Sequence, residues 1–170
     1  DDSVQGFFSN PLGYKYFMYS TVDGKGDTIS VCLASEPDTI DPALNSTVDG
    51  ATMTAHLFSG LAKWAQDESG KLVLAPDAAT ELVEGVMNDD GTVTYTYTLR
   101  DGLSWSDGKP VTAGDFEFAW KRAASAELGA DYGYMYEVVQ GYGTENKDDL
   151  AVKALDDKTL EVTLSNTVAY

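Results

Sequence analysis

Residues 99–122 read LRDGLSWSDGKPVTAGDFEFAWKR, and this stretch decides how the rest of the chain is read. Two turn signals, Arg100-Asp101-Gly102 and Ser106-Asp107-Gly108, bracket the short apolar run Leu103-Ser104-Trp105. In each turn a glycine follows an aspartate and supplies the positive φ that a tight turn needs. Thr112 then precedes an amphipathic run. Asp115, three residues on, is placed to return a hydrogen bond to it as in a capping box. Phe116, Trp120 and Ala123 recur at spacings of four and three, so the predicted helix buries one face. The segment is a strand end, two turns and a capped helix.

Working outward, residues 82–87 and 92–99 flank Asn88-Asp89-Asp90-Gly91 and predict a hairpin. Val93, Tyr95 and Tyr97 fall on one face of its second strand, and Thr92, Thr94, Thr96 and Thr98 on the other, which predicts a sheet with one wet face. Residues 50–64 are predicted to be helical. Met53, Leu57, Gly60, Leu61 and Trp64 make the apolar face, and Thr47 or Asp49 is the candidate cap. Ahead of it, Pro37 and Pro42 make SEPDTIDPAL irregular. Residues 28–34 alternate as a strand. So do residues 13–21, in which both faces are mostly apolar. The short loop 23–27 makes these two antiparallel neighbours by expectation. Downstream, GADYGYMYEVVQGYG is expected to be part loop and part short helix. Residues 151–166 form a second hairpin, with Asp156-Asp157 at its turn and Leu160, Val162 and Leu164 facing inward. The fold class that results is α/β, a mixture of β-sheets with a few packed helices.

The 170 residues suit one domain, or one domain and a piece of another, and 43% hydrophobic content is enough for a core. Eleven basic residues against 28 acidic ones give a net charge of −17, which argues against nucleic acid and anionic membrane surfaces as partners. No apolar run is long enough for membrane insertion. Cys32 is the single cysteine, so no internal disulfide forms. Its alternating context reads as a buried thiol. His56 is the single histidine and lacks partners for a metal site. No phosphate loop, calcium loop or Cys–His or Ser–His–Asp set is present, so the expectation is a protein that is not an enzyme and uses no cofactor or metal. Trp105 and Trp120 are expected in the core.

Residues 99–122 closely resemble the signature of the family 5 extracytoplasmic solute-binding proteins, the oligopeptide- and dipeptide-binding components of ABC importers. SEPDTIDPALN at 35–45 resembles the exit from that family's first strand, LFSGLAKW at 57–64 its first helix, and VKALDDKTLEVTLSNTVAY at 152–170 the strands that return to its large lobe. The resemblance runs from about residue 28 to residue 170. It implies part of one lobe of a two-lobe periplasmic-binding-protein-like fold, here the N-terminal lobe portion at 28–170. NPLGYKYFMY resembles the family's last strand, so residues 1–22 are expected to be that C-terminal segment moved to the front and joined through the linker 23–27. The arrangement expected is a circularly permuted fragment, of engineered rather than natural origin. The resemblance further implies peptide capture for ABC import, with short peptides and permease subunits as partners of the full-length protein. Its location would be extracytoplasmic, either periplasmic or lipid-anchored at the cell surface. A nickel complex, haem or a sugar is the alternative ligand on the same scaffold. Carried over position by position, Ser46 and Val48 match residues that meet a peptide backbone. Tyr132, or equally Tyr134, matches a tyrosine lining the cleft.

Overall fold

The computed structural model describes residues 4–9, 15–20, 33 and 35–168, the first two segments as backbone strands. β1 (Val4–Ser9) and β2 (Lys15–Ser20) pair antiparallel, from Val4 opposite Ser20 to Ser9 opposite Lys15. β2 lies within the strand expected at 13–21, and its described partner is β1, a strand the sequence reading had not named. The pairing expected between residues 13–21 and 28–34 falls outside the described residues, as does Cys32.

The centre of the fold is a four-stranded antiparallel sheet in the order β5-β6-β8-β7. β5 is Val86–Met87, β6 is Val93–Thr98, β7 is Val152–Ala154 and β8 is Thr159–Leu164. Both predicted hairpins are present, the first with a shorter leading strand than expected. The register explains the two faces. Val93, Tyr95 and Tyr97 of β6 stand opposite Leu164, Val162 and Leu160 of β8, and Val152 and Ala154 of β7 continue the same apolar face. Thr94 stands opposite Thr163 and Thr96 opposite Glu161, so the other face is polar and hydrated as expected. Leu160 and Val152 are fully buried, at 0% and 1% exposure.

Helix α2 (Ala113–Ala124) packs against β7 and β8. Its start is held as the sequence predicts: the Thr112 N–H donates to Asp115 Oδ2 at 2.7 Å. Ala113, which is wholly buried, donates its N–H to the Asp157 carbonyl at 2.8 Å, and the Glu117 carboxylate accepts the Ala154 N–H at 2.8 Å. The second bond satisfies a donor on the edge strand β7 that would otherwise face water or another chain. Phe116 and Trp120 pack on the core but remain only partly buried, less so than a core assignment implies.

Two expectations fail for identifiable reasons. The predicted helix 50–64 is α1 (Val48–Leu57) followed by β3 (Ala62–Gln66), which forms a separate hairpin with β4 (Leu72–Pro76). Phe58 is already extended at φ −125°, ψ 151°. The Gly60 and Leu61 carbonyls then accept N–H groups from Asp77, Ala78 and Ala79. This pairing with a distant segment overrides a local helical pattern that a short apolar run cannot settle alone. Trp64 therefore sits on a strand, 52% exposed. Trp105 is also well exposed for a residue expected in the core, at 42%. It lies in a tight turn, where the Trp105, Gly108 and Val111 N–H groups bond to the Lys109, Trp105 and Leu103 carbonyls, and so small a turn cannot enclose an indole.

Candidate functional site

The irregular segment before α1 is organised by its short polar side chains. The Asp41 carboxylate accepts the Ala43 N–H at 3.0 Å, and its carbonyl accepts the N–H groups of Leu44 and Asn45 at 3.2 and 3.0 Å. Asn45 donates through Nδ2 to the Thr47 carbonyl and accepts the Thr47 N–H, at 3.2 and 3.3 Å. Thr47 is the N-cap of α1, its hydroxyl accepting the Gly50 N–H at 3.3 Å. A β-carbon at Gly50 would stand 1.9 Å from Asn45 Oδ1 and 2.8 Å from the Thr39 carbonyl, so the helix start and the loop touch where only glycine fits. Ser46 and Val48 ride on this framework and face water, Val48 at 54% exposure.

Tyr132 and Tyr134 lie at the single-turn 3-10 helix Gly133–Tyr136, the short helix expected in this glycine- and tyrosine-rich stretch. Both rings are about half exposed, and their centroids are 6.0 Å apart at a 45° tilt. They differ in what they face. Tyr132 lines an open apolar groove of about 700 Å³, and Tyr134 does not. Pro42 and Ala43, on the loop leading to Ser46, line the same groove, so the structure brings that loop and Tyr132 to one cavity. Ser46 and Val48 themselves are not among its lining residues.

Sequence reasoning missed most of this groove. Its floor is the apolar face of the sheet, including Tyr95, Tyr97, Val162 and Leu164, and its sides include Leu74 of β4 and Trp120 of α2. Trp120 meets Tyr136 edge-on, with ring centroids 5.5 Å apart, an arrangement favoured by the charge distribution of the rings. Burial pushes the phenols of Tyr136 and Tyr97 up, the latter aided by Tyr95 beside it. The available signal was the pairing of Tyr95 and Tyr97 on one strand face. Leu74 could not be found, because its strand was not recognised.

The electrostatics of the loop centre on Asp41. Arg122 of α2 donates through Nη1 to Asp41 Oδ1 at 2.9 Å and through Nη2 to Oδ2 at 2.7 Å. That hydrogen-bonded guanidinium holds the Asp41 carboxyl below the usual carboxylate range, outweighing the opposing effect of burial. The His56 ring bonds through Nδ1 to the Thr52 carbonyl of its own helix at 2.7 Å. Among the described residues, no three histidine, cysteine or acidic side chains cluster to hold a metal ion. No helix of the described residues is long and apolar enough to cross a membrane.

Residues 73–170 match the family model described as bacterial extracellular solute-binding proteins, family 5 Middle. The oligopeptide-binding protein OppA of Bacillus subtilis is 37% identical over 155 residues, covering 87% of this chain and 27% of the relative. The dipeptide-binding protein DppE of the same organism is 36% identical over 141 residues, covering 80% of this chain and 24% of the relative. Among solved structures, OppA of Haemophilus influenzae in complex with RPPGFSPFR superimposes with a TM-score of 0.65 at 34% identity, covering 80% of this chain and 26% of that one. The chain thus spans about a quarter of the length of these relatives.

Proposed function

The chain belongs to the bacterial extracellular solute-binding proteins of family 5, and from that premise we propose that it forms one wall of a peptide-capturing cleft. The family is extracytoplasmic and binds solutes. The relatives named above bind oligopeptides or dipeptides. The observation that carries the reading to this chain is the groove that Tyr132 shares with the loop leading to Ser46 and Val48. That surface offers aromatic and apolar side chains for a ligand's side chains, with the exposed loop and start of α1 beside it for a ligand's main chain. Such a mixture suits peptides of varied sequence, because apolar contact is non-directional while main-chain pairing is common to all peptides. In this reading Ser46 and Val48 meet the ligand backbone and Tyr132 stands on the groove wall, with Tyr134 outside it. Delivery to ABC permease subunits, and residence in the periplasm or at a lipid anchor, belong to the same proposal.

Small-ligand sites enclose most of the ligand's surface. The groove here is open, so a peptide bound to this wall alone stays half in water and its main-chain groups keep their water partners. Affinity of this chain by itself is therefore expected near millimolar, about −4 kcal/mol. NMR titration of the 170-residue chain with short peptides checks this. Weak, saturable shifts at Ser46, Val48 and Tyr132 are the expected result. Absence of any shift there removes the peptide reading, and micromolar affinity removes the single-wall reading.

A further inference from the structure

Ser46 and Val48 lie on a segment that no strand holds, so their position depends on what anchors it. The hydrogen bonds form one connected path. Arg122 grips both carboxylate oxygens of Asp41 at 2.9 and 2.7 Å, across 81 residues of sequence. The same carboxylate holds the Ala43 N–H, and the Asp41 carbonyl holds those of Leu44 and Asn45. Asn45 in turn braces Thr47, and Thr47 caps α1 at Gly50. We infer that Arg122 is a positioning residue for the ligand-facing loop, fixing residues 41–48 from helix α2 through its two-point grip on Asp41. What the loop meets rests on the peptide-cleft reading; the positioning itself does not.

An ordinary surface ion pair would not do this. Exposed pairs contribute roughly 0–1 kcal/mol because long side chains lose freedom and water screens the charges. The Arg122–Asp41 pair differs in two respects. Both partners are substantially covered, with side chains 33% and 28% exposed. The guanidinium meets the carboxylate through two parallel bonds, a geometry that fixes orientation as well as distance. Lysine has one charged nitrogen and no planar fork, so it keeps the charge and loses the orientation. The neighbouring Lys121 does not substitute, since it pairs with Glu117 at 2.7 Å.

Amide hydrogen exchange by NMR on the 170-residue chain tests the inference with Arg122→Met, Arg122→Lys and the control Lys158→Met, which breaks a surface pair with Asp101. In Arg122→Met, exchange at Ala43, Leu44, Asn45 and Gly50 is expected to rise about tenfold or more relative to β8, whose protection stays as in the wild type. A purely stabilising salt bridge would lower protection in the loop and in β8 together. Arg122→Lys is expected to fall between wild type and Arg122→Met, and Lys158→Met to leave the loop unchanged. If Arg122→Met does not fold, the lysine variant decides by the same comparison of loop with β8. Unchanged loop exchange, or an equal rise in both regions, overturns the assignment. Titration with millimolar trialanine separates this from the ligand reading. Wild-type shifts at Ser46 and Val48 that vanish in Arg122→Met support both, whereas no wild-type shift sinks only the peptide cleft and leaves positioning to the exchange data.

Discussion

Gly141→Ala is expected to be among the most damaging single-methyl additions in this chain, and the reason can be separated into two parts. Gly141 has φ of +84°, the left-handed region, where an L side chain costs about 1–2 kcal/mol. A β-carbon there would also stand 2.0 Å from the Asp149 carbonyl oxygen and 2.7 Å from its carbon, so a backbone segment must move. Overpacking of that kind adds about 1–3 kcal/mol. Gly91 supplies the control: its φ is +85°, but a β-carbon would meet nothing within 4 Å. Gly91→Ala should therefore cost about 1–2 kcal/mol and Gly141→Ala about 2–5 kcal/mol. The contact matters because Gln140 donates to the Thr163 carbonyl, and Ala151 bridges Gln140 and Thr163, at 2.8–2.9 Å. Displacing residues 149–150 should pull that ladder off β8. Urea denaturation followed by tryptophan fluorescence gives both free energies from midpoint and slope. Two variants within about half a kilocalorie of each other would refute the reasoning, since the clash would then contribute nothing beyond backbone strain.

Leu160→Ala removes a fully buried side chain at the centre of the sheet's apolar face and should lower unfolding free energy by about 2–5 kcal/mol; a loss under 1 kcal/mol would mean the core collapses around the gap. Acid should weaken the attachment of α2 to the sheet. The Ala154 N–H, followed by the Lys121 ammonium, holds the Glu117 carboxyl below its ordinary pKa. A carboxylate depressed in the folded state contributes stability that is present above its unfolded pKa of about 4 and lost as pH falls through the lower folded value. The denaturation midpoint should accordingly fall more steeply below about pH 4 in the wild type than in Glu117→Gln, and identical acid slopes would dismiss the linkage.

Legibility in the sequence followed how local each interaction is. The capped helix, both hairpins of the four-stranded sheet and the short helix near Tyr134 were readable. Each is set by residues within a few positions: Thr112 with Asp115, Asp90-Gly91, Asp156-Asp157, and alternation along β6 and β8. The helix assigned to residues 50–64 failed after Leu57, because Gly60 and Leu61 pair with residues 77–79, a contact that no local pattern announces. Losing that point concealed the β3–β4 hairpin and with it Leu74 on the groove wall. Ser46, Val48, Tyr132 and Tyr134 came from resemblance alone. Apolar periodicity marks which residues leave water, and these four remain exposed in the fold.

The contrast between the core and the groove bears on what kind of surface the groove is. The sheet's apolar face is sealed where α2 lies on β7 and β8, with Leu160 and Val152 fully buried. Further along, Tyr95, Tyr97 and Trp120 stay only partly covered around the 700 Å³ groove. A contiguous apolar hollow of this kind is a place where further apolar surface docks, whether from a ligand or from another part of the protein. Whatever docks there meets mainly aromatic and aliphatic side chains, with few polar groups to fix one orientation. Around that hollow the anchoring is unevenly distributed. The loop bearing Ser46 is tied to α2 through paired charges, and the half-exposed Tyr132 ring meets that of Tyr134. One side of the groove is thus joined to α2 by a charged, two-point bond, and the other presents a half-exposed aromatic ring. On the peptide reading proposed above, the tied loop meets the ligand's common main chain and the aromatic ring its variable side chains.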